Sequence, residues 1–234
     1  MGRRKKSECE GPSESWILGR QKLLMAGFAS FAEKGYRGAT VRDIVGRINF
    51  SVNAISIYFG SKQGLANAAI ETLKKSVTLP LAHADETIQS DYTWRVAVKS
   101  FVWQVLALFA AKDEPNCYLA PLYRHESAHL HDKKISLQNE IIRPIFERLE
   151  GLIAMGVPDR DPVLVRLWTL ALWNNVVGYA LKHPIVLAED VPAGMDLAIF
   201  RQMAVDFMID KCTRDLTFSP LTKPAASTEG QTPA

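Results

Sequence analysis

The chain has 234 residues, 47% hydrophobic and 23% charged, with a formal net charge of +3. It is long enough for one or two domains with a sizeable core, and its composition is that of a soluble globular protein. The charge is unevenly spread: residues 1–65 hold 11 Lys/Arg against 5 Asp/Glu, a balance of +6, and the rest hold 17 against 20, a balance of −3. A basic head on a mildly acidic body suggests that the head binds a polyanion and the body has another task.

Cys9, Cys117 and Cys212 lie far apart and are odd in number, so they form neither a metal spacing nor a disulfide framework. A reduced, cytoplasmic chain is the expectation. No apolar stretch of signal-peptide length follows the N-terminal charges, which argues against secretion. The longest apolar run, 101–111, is broken by Gln104 and too short to span a bilayer, so no membrane partner is expected.

In chain order, residues 1–14 read as a disordered basic tail carrying Arg3, Arg4, Lys5 and Lys6, or as a flexible arm for phosphates or the minor groove. The opening Met-Gly is no acceptor for a myristoyl chain, because Lys6 stands where that pattern needs Ser or Thr. A first helix is predicted over 16–34, with Ile17, Leu24, Phe28 and Phe31 inward and Gly35 as its end.

Residues 40–62 read as two short helices around a tight turn. Val41, Ile44, Val45 and Ile48 form an apolar stripe, and Thr40 precedes it as a cap. Asn49 tolerates the left-handed conformation that ends a helix. Ser51 is placed to cap a second helix with Val52, Ile55 and Phe59 inward and Asn53, Ser56, Ile57 and Tyr58 outward. This is the layout of a helix-turn-helix, whose second helix presents its outer face to the DNA major groove.

Beyond it the pattern is helical throughout: helices are predicted over about 62–77, 91–111, 117–130, 133–155, 162–182 and 194–213, with Pro80 marking a break. In the 133–155 helix, Ile135, Ile142, Phe146, Leu149 and Ile153 are expected inward, and Pro144 should bend or thin it. The tail from about 217 is rich in Pro, Ser, Thr and Ala and is expected to be disordered.

The run EKGYRGATVRDIVGRINFSVNAISIYFGSKQGL resembles the N-terminal domain of the TetR (tetracycline-repressor) family of bacterial transcriptional regulators, over about residues 18–66. Matching positions include Phe31, Gly35, Tyr36, Thr40, Val41, Ile44, Ser51, Ile55, Phe59, Ser61, Lys62 and Leu65. The resemblance implies an all-α protein. A three-helix DNA-binding domain (15–66) would precede a helical ligand-binding and dimerisation domain (67–215) and a disordered tail (216–234). It implies double-stranded operator DNA as partner, a homodimer, and an unknown small-molecule effector. Its last two long helices, here about 162–182 and 194–213, would form the dimer seam, drawing on Leu164, Leu167, Trp168, Ala171, Leu172, Ile199, Met203 and Phe207.

On the head, Asn53, Ser56 and Tyr58 are expected at base edges or nearby phosphates, and Thr40, Arg42 and Lys62 at the DNA backbone. Ser51, Val52, Ala54 and Ile57 complete the expected contact set. The Lys62 role is carried over from the family's matching lysine. The sequence departs from the family at Asn49, Phe50, Ser56, Ile57 and Tyr58, so no relative's operator transfers to it.

For the effector site, polar groups on otherwise apolar helices and neighbouring aromatics are the candidates: Trp103, Gln104, Tyr123, Arg124, Glu126, Trp173 and Asn174. One motif points to another class of protein. His125-Glu126-Ser127-Ala128-His129 spells the H-E-x-x-H of zinc hydrolases, with two imidazoles on one helical face and a carboxylate as general base. No downstream third ligand supports it. The reading taken forward is therefore a ligand-responsive repressor without cofactor, metal or catalytic residue, with a zinc-dependent hydrolase as the alternative.

Overall fold

The computed structural model describes residues 12–78, 90–128, 137–156 and 161–214. The basic cluster at 3–6, His129 and the C-terminal tail lie outside these residues. Among the described residues every regular element is helical. The chain divides into two compact units, Met1–Leu79 with Leu108–Arg143, and Pro80–Ala107 with Pro144–Ala234.

The first unit is built on α1 (Glu14–Gly38), which packs against α2 (Val41–Gly46), α4 (Lys62–Thr78) and α6 (Leu119–Ala128). α3 (Asn53–Phe59) packs on α4 and α2. α1 starts earlier than its periodicity suggested, because the Ser13 side chain accepts the Trp16 N–H and caps it. Glu14 is therefore the first residue of the helix, and Ser13 its cap. Leu24, Phe28 and Phe31 are buried as expected, but Ile17 is exposed, one of three consecutive uncovered apolar side chains with Trp16 and Leu18. Gly35 breaks the helical run at φ 69, ψ 170, a conformation that disfavours any side chain.

The second unit holds most of α5 (Asp91–Phe109) and α7 (Arg143–Ala154), with α8 (Pro162–Asp190) and α9 (Leu197–Thr213). Trp94, Val98, Phe101, Val105 and Leu108 of α5 are all buried. The Trp94 indole donates to the Leu152 carbonyl at 2.6 Å, joining α5 to α7 inside the core. Where Pro144 was expected to disturb a helix, a π-helical turn, Gln138–Ile142, precedes it. A ring without an N–H leaves a carbonyl one turn back unbonded, and a wider turn there accommodates that. Ile142, Leu149 and Ile153 are buried, Phe146 is half-buried, and Ile135 falls outside the described residues. α8 runs on to Asp190, past its expected end at 182.

The compact units do not divide at residue 66: α4, α6 and the π turn pack with the head.

Candidate nucleic-acid interface

The site begins with a reciprocal cap. Thr40 Oγ1 accepts the Asp43 N–H at 3.1 Å, and Asp43 Oδ2 accepts the Thr40 N–H at 2.9 Å and its hydroxyl at 2.6 Å. This capping box satisfies donors that a helix start leaves open. Lys34 Nζ adds an ion pair to Asp43 at 2.9 Å. The Thr40 hydroxyl first, then Lys34 and the Thr40 N–H, hold the Asp43 carboxyl well below the usual carboxylate range. Arg47 pairs with Glu33, so α2 is tied to the far half of α1 at both ends.

Between α2 and α3 the chain reverses through Asn49 at φ 56, with Ile48 and Phe50 both donating to the Val45 carbonyl. Asn fills the left-handed position that this turn requires.

α3 sits in a slightly different phase from the expected one. It starts at Asn53, with Val52 in the capping position and no side-chain cap, so Ser51 does not cap it. Ala54 and Ile55 are its buried residues. Val52, placed inward by spacing, is half exposed, and Ala54, placed among the DNA contacts, has its side chain in the core. Asn53, Ser56 and Ile57 form the exposed stripe. Tyr58 is half-buried and packs against α1. Its ring stands 5.3 Å from that of Trp16, and its hydroxyl lies over Gly19, where a Cβ would overlap it. Phe59 lies under the Arg20 guanidinium at 4.7 Å.

Trp16, Gly19 and Arg20 thus seat α3 on α1, a role the sequence reading did not assign to them. Ser51, Arg42 and Thr40 are exposed beside the stripe. Lys62 opens α4, its ammonium 4.3 Å from the centre of the Tyr36 ring, and Ser61 Oγ caps that helix by accepting the Gly64 N–H at 3.0 Å.

The expected effector residues fall in both units. In the second, Gln104 donates to Ser100 Oγ at 3.3 Å, while its buried amide oxygen has no partner. Trp103 is half-buried, Trp173 is buried edge-on to Phe146, and Asn174 is exposed. In the first, Tyr123 meets Phe109 edge-on at 5.5 Å and Arg124 is exposed. An open groove of about 490 Å³ along α1, lined by Leu18, Met25, Ala29, Ile48 and Tyr118, contains none of these residues.

Among the described residues of the H-E-x-x-H run, His125 and Glu126 are engaged elsewhere. The His125 ring is engaged with the Glu33 backbone carbonyl at 3.2 Å. Glu126 accepts the Gln138 N–H at 3.2 Å, and burial pushes its carboxyl above the usual range. Both side chains tie α6 to neighbouring backbone.

A capped α2, a left-handed turn and an outward α3 stripe define a helix-turn-helix DNA-binding protein. Residues 23–69 match the family model described as bacterial regulatory proteins, tetR family. Residues 23–69 thus carry the DNA-binding domain of TetR-family transcriptional regulators, and the hydrolase alternative is set aside. Its fold is similar to that of a transcriptional regulator from Rhodococcus sp. RHA1, at 20% identity and TM-score 0.58, over 86% of this chain and 99% of that one. A TetR-like regulator from the same organism aligns at 17% identity and TM-score 0.57, over 88% and 97%. FadR from Bacillus subtilis, solved in complex with stearoyl-CoA, aligns at 18% identity and TM-score 0.53, over 81% and 97%. No curated protein sequence matches the chain. No helix among the described residues is long and apolar enough to cross a membrane.

Proposed function

We propose that the chain is a ligand-responsive repressor that binds a palindromic operator as a homodimer in the cytoplasm, with residues 15–66 as its DNA-binding part and 67–215 as its effector and dimerisation part. The observation that carries the dimer is the uncovered apolar stripe of α8 and α9, where Leu164, Leu167, Ile199, Met203 and Phe207 are exposed. Two copies joined there would carry two recognition helices, which matches an inverted repeat with half-sites about one DNA turn apart. On each half-site Asn53 and Ser56 read base edges, and Thr40, Arg42 and Lys62 hold phosphates. An effector in the body would favour a conformation with the wrong head spacing and so release DNA. The stearoyl-CoA held by the Bacillus subtilis neighbour supports a ligand in this fold, and the unpartnered Gln104 oxygen is a group such a ligand could satisfy.

The test is selection of bound duplexes from a random pool by the full chain. The enriched site should be an inverted repeat. Lys62→Ala should weaken binding to all sequences alike and reduce the slope of log affinity against log salt by about one. An enriched site without two-fold symmetry would overturn the dimeric reading, and an unchanged slope would remove Lys62 from the backbone contacts.

A further inference from the structure

α3 carries no charged side chain: its sequence is NAISIYF. Nothing on it can fork onto guanine O6 and N7, the contact that Arg and Lys make most often in the major groove. Its outward stripe at i, i+3 and i+4 is Asn53, Ser56 and Ile57, and Val52 flanks it. Ile57 is 67% exposed. It is a branched aliphatic group at the centre of a face otherwise suited to polar contacts. Such a group gains from burial only against another apolar surface. On the major-groove edges of the four base pairs the apolar group is the thymine C5-methyl. Asn53, one turn before Ile57, has the paired donor and acceptor that match adenine N6 and N7. Both preferences are met by the same kind of base pair.

We infer that Ile57 is a specificity-determining residue that reads thymine methyl groups, so that the base pairs facing α3 include A·T pairs. This rests on the DNA-binding reading of the head and adds to it the chemistry that is read. The apolar contact supplies discrimination, and the phosphates are left to other residues.

The test uses the full chain and the duplex enriched from a random pool, with each thymine replaced in turn by deoxyuridine. That exchange removes the methyl and keeps the base pairing and the phosphates. At one or more thymines in each half-site the wild-type chain should lose about fourfold in affinity, the equivalent of about 0.8 kcal/mol for one buried methyl-sized group. Ile57→Ala, a change at an exposed position, should bind the thymine and uracil duplexes alike. Equal wild-type affinity for both at every position would overturn the inference and leave DNA binding intact. So would an Ile57→Ala chain that keeps the full penalty, or enriched half-sites without an A·T pair. A pool from which the wild-type chain enriches nothing would overturn the DNA-binding reading itself.

Discussion

Within four residues, Thr40 and Asp43 exchange three hydrogen bonds, and Lys34 closes the arrangement from α1. The acceptor in two of those bonds and in the ion pair is the Asp43 carboxylate, which pairs with Lys34 and accepts at both oxygens in full strength only while it is ionised. Its folded pKa is depressed, chiefly by the Thr40 hydroxyl, so the contribution to stability has a definite sign. It is present in full above the ordinary carboxylate range and is lost as the pH falls through and below that range. The consequence is local to α2. At neutral pH the α2 amides should be more protected from hydrogen exchange in the wild-type chain than in Asp43→Asn, and the gap should close as the pH drops below about 4. A gap that holds constant down to strongly acid pH would show that the ionised carboxylate is not what orders the helix start.

At the scale of elements, α3 has only seven residues and cannot be stable alone, so its orientation is set by what it rests on. Ile55 anchors it in the core, and Tyr58 anchors it on α1 between Trp16 and Gly19. Gly19→Ala places a methyl where the phenol oxygen lies, a form of overpacking that costs about 1–3 kcal/mol in well-packed sites. Operator affinity should fall about fivefold or more as the ring is pushed out and tilts α3. Adding Tyr58→Phe removes the clashing oxygen and should restore most of the loss. Wild-type affinity in Gly19→Ala, or no recovery in the double variant, would dismiss Tyr58 as a positioning residue.

These elements also divide what the sequence made legible from what it did not. The α2 cap, the left-handed Asn49 and the start of α4 at Lys62 were all readable, because each is decided within one helical turn by nearby backbone and side-chain groups. The burial of Ala54 was not, because it follows from α3 starting at Asn53 rather than under a Ser51 cap. The turning of Tyr58 onto Gly19 was not either, since it depends on residues far apart in the chain meeting across two helices. The engagement of Glu126 with the Gln138 backbone is of the same kind, and a five-residue motif carried no information about it.

At the scale of the whole molecule, α8 and α9 pack on each other and leave an apolar stripe uncovered. Leu172, Val176, Val205, Met208 and Ile209 are buried, while Leu164, Leu167, Ile199, Met203 and Phe207 are left outside. Ile199, Met203 and Phe207 repeat at i, i+4 and i+8, a continuous apolar stripe, and Leu164 and Leu167 stand one turn apart on α8. Uncovered apolar surface on this scale marks an interface, and a self-complementary patch is what a two-fold dimer requires. Charge placed there should be costly only in the assembly, because these side chains already face water in the single chain. Leu167→Glu with Phe207→Glu should therefore keep the helical circular dichroism of the wild type but sediment as a monomer, whereas the wild type should sediment as a dimer. Operator binding should weaken by two or more orders of magnitude, because the second half-site no longer gains from the first. A wild-type chain that is monomeric at micromolar concentration, or a double variant that still dimerises, would move the seam elsewhere.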